Sequence, residues 1–143
     1  MSSYFFDTSA LVKRYINETG STWVQSVIAQ PVQRIHISRI TETEVSAALT
    51  CRLDLVIAAL QLADFDQDIE QIYTLASVTD FVVTDAVQLA RTRRLRGCDS
   101  IQLATAIRVA KRNPSIIFVC SDNDLLIAAA AEGLQTDNPE LHP

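Results

Sequence analysis

The chain has 143 residues, 48% of them hydrophobic and 20% charged, with a net charge of −5 at pH 7. That is enough apolar side chain for a core without disulfide or metal staples, which excludes a disordered chain; the acidic balance also excludes a bulk cationic field for nucleic acid. No run reaches the ~18 consecutive apolar residues of a membrane span, and Met1 to Asp7 lack the basic-then-apolar pattern of a secretory signal, so a single domain over 1–143, cytoplasmic and without a membrane partner, is expected.

Tyr4-Phe5-Phe6 reads as a short strand that runs into a helix start at Asp7-Thr8-Ser9. Ala10, Leu11, Val12, Tyr15 and Ile16 suit an amphipathic helix. A second helix opens at Gly20-Ser21, carries Trp23, Val24, Val27 and Ile28, and stops at Pro31. Ile35 to Ser38 reads as a strand, Thr41 to Leu53 as a helix, and Leu55 to Leu75 as a long helical stretch. Phe81-Val82-Val83-Thr84 reads as a strand ending at Asp85, followed by a basic helix to Arg96 that Gly97 stops. Asp99 to Arg112 is helical, Ile116 to Ser121 is a continuous apolar strand, Asp122 to Glu132 is an alanine-rich helix, and Leu134-Gln135-Thr136 is a last short strand. Strands alternating with helices predict an α/β fold: a three-layer α/β/α domain around a mainly parallel sheet with right-handed crossovers.

Cys51, Cys98 and Cys120 are an odd set without a CxxC spacing, against both a disulfide framework and a structural zinc site. Cys120, inside an apolar run, reads as a small buried hydrophobe. With only His36 and His142, chemistry built on several histidines is nearly excluded. Charge is uneven. Asp64, Asp66, Asp68 and Glu70 form an acidic block whose ordinary explanation is a solvated helix face. Arg91, Arg93, Arg94 and Arg96 form a basic one, and Arg108, Lys111 and Arg112 another. Ten of the twelve cations are arginine, the residue suited to bidentate phosphate contact.

In parallel sheets, sites collect beyond the carboxyl ends of the strands. Asp7 and Asp122 follow strands there, with Asp85 a less distinctive third. Taken singly, Asp7, Asp99 and Asp122 have an ordinary role as helix caps, and Glu44 as a solvent-facing helix glutamate. Taken together they could converge on one sheet edge. Four carboxylates in one pocket repel unless a cation neutralises them. Hard divalent ions prefer such oxygen ligands, and they can polarise a phosphodiester.

These residues also carry a resemblance. Phe6-Asp7-Thr8-Ser9-Ala10-Leu11-Val12-Lys13, Thr43-Glu44-Val45-Ser46-Ala47-Ala48-Leu49, Leu95-Arg96-Gly97-Cys98-Asp99-Ser100-Ile101-Gln102-Leu103-Ala104-Thr105-Ala106 and Phe118-Val119-Cys120-Ser121-Asp122-Asn123-Asp124-Leu125 follow one another in the order seen in PIN-domain nucleases. The chain resembles in particular the VapC-type toxins of bacterial type II toxin–antitoxin pairs, over essentially its whole length. The resemblance implies a metal-dependent endoribonuclease with Asp7, Glu44, Asp99 and Asp122 as its acidic site and Mg²⁺ or Mn²⁺ as cofactor. It implies supporting roles for Thr8, Ser9 and Ser121, an antitoxin partner and a homodimer. Asp124 is an extra acid, either behind the site or simply exposed. Glu42 competes with Glu44, which is preferred because Val45 to Leu49 match the family's helix. Lys13 and Arg96, each close in sequence to a motif acid, are candidates for phosphate contact. Cys98 and Ser100 depart from the aromatic and alanine common in relatives. Two other readings stand beside this one. A catalytically silent PIN module for RNA or protein binding would be expected to have lost an acid, and all four are here. A phospho-acceptor receiver needs paired acids after the first strand and a lysine after a late one; this chain has one Asp at the first and no lysine between Ser121 and Leu134.

Overall fold

The alternation within the first strand sets the layers. In β1 (Ser3–Phe6), Phe5 and Phe6 point to opposite sheet faces and join two separate cores. The structure, a computed structural model, describes residues 2–143. Five parallel strands form the sheet in the order β3-β2-β1-β4-β5: β2 (Arg34–Ser38), β3 (Tyr73–Ala76), β4 (Ile117–Val119) and β5 (Gln135–Asp137) join β1. On the face of Phe6 lie α1 (Thr8–Leu11) with the tight turn Val12–Arg14, α2 (Ser21–Ile28), α3 (Arg39–Arg52) and α4 (Leu55–Gln71). On the face of Phe5 lie α5 (Asp80–Arg93), α6 (Gly97–Arg112) and α7 (Asn123–Ala131). Phe5 is in register with Phe118 of β4, and their rings stack at 5.9 Å, worth roughly 1 kcal/mol beyond the burial of their area. This is the expected three-layer α/β/α architecture.

The strand order has a functional consequence. From β1 the chain winds outward through β2 to β3, then crosses back to β4 on the other side of β1. The reversal falls between β1 and β4, where open α/β sheets form a crevice at their carboxyl ends. Asp7 and Asp122 follow those two strands.

Three local expectations are corrected. The segment Phe81 to Thr84 is helix, not strand. Thr79 accepts a hydrogen bond from the Val82 N–H (3.3 Å) and caps α5, and Val82, Ala86 and Leu89 are buried at helical spacing. The β-branched run suggested a strand, but packing against the Phe5 core outweighs that propensity. Asp85 is consequently a helix residue paired with Arg108, not an acid at a strand end. The missing strand is β3, hidden in the end of the long stretch: α4 stops at Gln71, and Tyr73 to Ala76 pair with β2 as an edge. Finally, Gly97 opens α6 rather than closing α5. Arg94, at φ 55° and ψ 42°, takes the left-handed position at the end of α5.

The acidic block divides on folding. Asp64, Asp66 and Glu70 are exposed, but Asp68 is buried and accepts from Arg14 Nε (3.0 Å) and the Tyr15 hydroxyl (2.7 Å). Tyr73 joins through its hydroxyl, and burial pushes both phenols well above their usual pKa, so they stay protonated donors. A buried carboxylate met by a guanidinium and a hydroxyl has its desolvation offset, which explains an Asp in this core.

Candidate active site

Each acid is brought to the crevice by a different element. Asp7 ends β1 and caps α1: its Oδ1 accepts from the Ala10 N–H (3.2 Å) and the Ser9 hydroxyl (2.7 Å). Asp122 follows β4 and caps α7, its Oδ1 accepting from the N–H groups of Asp124 (2.9 Å) and Leu125 (3.3 Å). The cap role is therefore real for both, and each keeps Oδ2 for other work. Asp99 is not a cap. It sits in the first turn of α6, and its carboxylate meets Arg96 Nε at 3.1 Å. The same guanidinium reaches Asp122 at 3.6 Å, so one cation spans two of the four acids.

Asp7 is 4% exposed, and burial pushes its carboxyl up to about 7, with the negative charge of Asp99 adding to the rise. The Cys120 thiol lies between the two strand-end acids. It donates to Asp7 Oδ2 (3.4 Å) and accepts from the Asp122 N–H (3.2 Å). Burial raises the thiol's pKa well above its usual range, so it remains a neutral donor. Cys120 is thus more than the hydrophobe its sequence setting suggests. Ser9 ties the two loops together by accepting from the Ser121 N–H (3.0 Å), while the buried Ser121 hydroxyl has no protein partner.

Glu44 reaches the crevice from the second turn of α3. Its Oε1 accepts from the Thr8 hydroxyl (2.8 Å) and from Gln102 Nε2 (2.9 Å). Gln102 is the residue sequence reasoning missed. It lies three positions after Asp99 on α6, is buried, and its amide nitrogen also reaches Thr41 (2.8 Å) and Thr8 (3.1 Å). Its carbonyl oxygen is buried without a partner. A polar residue on the inward face of a helix, one turn from a motif acid, was the available signal. Gln102→Leu keeps the size but removes these bonds and leaves Glu44 and Thr41 short of a donor. It should lower the free energy of unfolding by about 1–3 kcal/mol, read from urea midpoints. A change below about 0.5 kcal/mol would show that the amide does not hold this corner together.

The remaining residues sort clearly. Glu42 pairs with Arg39 on its own helix, away from the Thr8–Gln102 network that holds Glu44. The Asp124 side chain is exposed, and only its backbone N–H engages Asp122. Lys13 is corrected as a phosphate contact: it is 3% exposed and paired with Glu18 (3.2 Å) and Glu140 (3.6 Å), so its charge is already neutralised inside the protein. Arg96, in contrast, stands at the acids with an exposed side chain.

The donor set is all oxygen, as hard divalent cations require. Among the described residues, no three acids, histidines or cysteines stand close enough to enclose one ion. Instead, Arg96 supplies the positive charge that Asp99 and Asp122 need. A carboxylate pair already shared by one cation, beside a third, buried carboxyl, fits a divalent ion in the chemistry of its donors.

This chain also matches known proteins. A family model described as PIN domain matches residues 4–133. The chain belongs to the PIN-domain family. It is 31% identical to the protein named Ribonuclease VapC45 of Mycobacterium tuberculosis (strain CDC 1551 / Oshkosh), over 100% of both chains. Among solved structures, it resembles FitAB bound to an IR36 DNA fragment with a TM-score of 0.70 at 18% identity, covering 96% of this chain and 95% of that one. It resembles a toxin-antitoxin complex from Klebsiella pneumoniae with a TM-score of 0.66 at 19% identity, covering 95% and 97%. The PIN match runs through all four acids and through Gln102.

Proposed function

We propose that this PIN-domain chain, folded as one domain over 1–143, is a metal-dependent endoribonuclease and the toxin of a bacterial toxin–antitoxin pair. The observation that carries the reading is the gathering of carboxylates at the β1/β4 reversal: Asp99 and Asp122 on one guanidinium, with buried Asp7 within electrostatic reach of Asp99. The name of the full-length Mycobacterium relative supports RNA as the substrate.

In this reading Asp7, Asp99 and Asp122 would hold Mg²⁺ or Mn²⁺, and Glu44 would hold a second ion or orient the attacking water. A bound divalent ion would offset the crowded negative charge and polarise the scissile phosphate. The protein's own part is positional. Cap bonds fix one oxygen each of Asp7 and Asp122, and Thr8 and Gln102 fix one oxygen of Glu44, so the carboxylates are held in place before substrate arrives. The unpartnered Ser121 hydroxyl is buried beside Asp122, where it supports the acid from behind and does not meet the phosphate.

A protein partner accords with the surface. At the start of α4, Leu55 is 90% exposed, Val56 71% and Leu60 63%, an apolar patch of the kind that marks interaction sites. We assign the antitoxin to it, as the toxin-antitoxin complex among the similar structures supports; a homodimer is part of the same reading. No helix of the described residues is long and apolar enough to cross a membrane; a cytoplasmic setting is part of the toxin reading itself.

The test is cleavage of a mixed RNA pool with Mn²⁺ or Mg²⁺, repeated with excess EDTA. Cleavage that requires the metal is expected. Metal binding without cleavage of any RNA would favour the silent binding module instead.

A further inference from the structure

Arg96 occupies an unusual place for an exposed arginine. It stands at the entry to α6, makes no capping bond with its side chain, and directs its guanidinium across the crevice. Nε meets Asp99 Oδ2 at 3.1 Å, and Nη2 meets Asp122 Oδ2 at 3.6 Å. The choice of oxygen matters. Asp122 Oδ1 is already used by two backbone N–H groups, so Oδ2 is the oxygen left for a cation, and Arg96 takes it. The two acids lie on α6 and at the cap of α7, so the bridge also ties together the two helix starts that flank the site. The side chain is 81% exposed, so the guanidinium can swing out to solvent. Ion pairs so exposed to water are weak, and therefore readily exchanged.

We propose that Arg96 is the resident counter-ion of the site: it holds Asp99 and Asp122 together in the metal-free protein and competes with the divalent ion for their Oδ2 atoms. This role rests on the metal-site reading above. It makes Arg96 a positioning residue for the acids before metal arrives, and a tuner of how much metal the site needs.

The test is Mn²⁺ titration calorimetry on the metal-free protein, with melting curves alongside, for wild type, Arg96→Gln and Arg94→Gln. Arg94 is a nearby exposed arginine that makes no ion pair among the described residues, so its variant controls for the general loss of one positive charge. Arg96→Gln should bind Mn²⁺ roughly threefold to tenfold more tightly than wild type, the range that weak exposed pairs support. It should also melt at a lower temperature without metal and gain more from Mn²⁺. Arg94→Gln should bind within about twofold of wild type, since charges beyond direct contact are largely screened. Mn²⁺ affinity equal in wild type and Arg96→Gln, or tightened equally by both variants, would overturn the role of Arg96 while leaving the metal site intact. No Mn²⁺ binding by any of the three would overturn both.

Discussion

Asp7→Asn should reduce metal-dependent RNA cleavage by at least about a hundredfold and, in the same protein, remove a pH dependence of folding. The Asp7 carboxyl is raised from 3.8 to about 7, chiefly by burial. Between those two values the folded protein keeps a proton that the unfolded chain has released. Stability of the metal-free protein should therefore fall as pH rises from about 4 to about 7, and the cost should be complete above that. A shift of this size corresponds to on the order of 4 kcal/mol. Asparagine carries no charge to desolvate, and it caps a helix about as well as aspartate. The variant should lose this slope and be the more stable protein at pH 8, while wild type holds the advantage in activity. Denaturant midpoints from pH 4 to pH 8 without metal give the comparison. Parallel profiles for the two proteins would show that Asp7 does not titrate in this window.

Asp99→Asn should be as damaging to cleavage, for a different physical reason and with a different stability signature. Asp99 holds no backbone N–H, so its replacement costs no cap; it loses the Arg96 pair and relieves the repulsion with Asp7. These changes oppose one another, and the metal-free melting temperature should move little. Activity should still fall at least about a hundredfold, because an acid proposed to hold the ion is gone. Asp64→Asn, on the exposed face of α4, is the control and should alter neither quantity. Wild-type cleavage by Asp99→Asn would refute the four-acid assignment.

The legible parts of this fold were those where local pattern and tertiary role agree. The apolar runs before Asp7 and Asp122 are both β-prone and buried, so β1 and β4 were readable, and with them the two acids that follow. The misread parts are those where the two conflict. Val82, Val83 and Thr84 favour a strand locally but lie on α5, whose inward spacing of Val82, Ala86 and Leu89 carries the competing signal. Tyr73 to Ala76 follow α4 with no glycine or proline to mark the change; only pairing with β2 makes them a strand. At the site, the acids were visible as residue types at strand ends. The groups that position them were not, because Gln102, Thr41 and Cys120 act across long sequence separations. The Gln102 amide meets a threonine 61 positions earlier, and the Cys120 thiol meets Asp7 across 113. Lys13 erred in the opposite sense: a lysine is usually solvated, and here two glutamates draw it inside.

The position of β1 in the sheet bears on when the protein becomes active during its synthesis. β1, the earliest of the five strands to be made, lies in the middle, hydrogen-bonded on one side to β2 and on the other to β4. Asp7 is made before the other three acids, yet its N–H is bonded to the carbonyl of Val119, and its neighbours Cys120 and Ser121 come from the same late segment. Until that segment emerges, β1 has an open edge and Asp7 has neither its thiol donor nor Asp122 beside it. A nascent chain that ends between Asp99 and Ser121 therefore carries three of the four acids and no assembled site. For the ribonuclease proposed above, translated amid ribosomal and messenger RNA, this order of strands delays cleavage until the segment around Asp122 has been made.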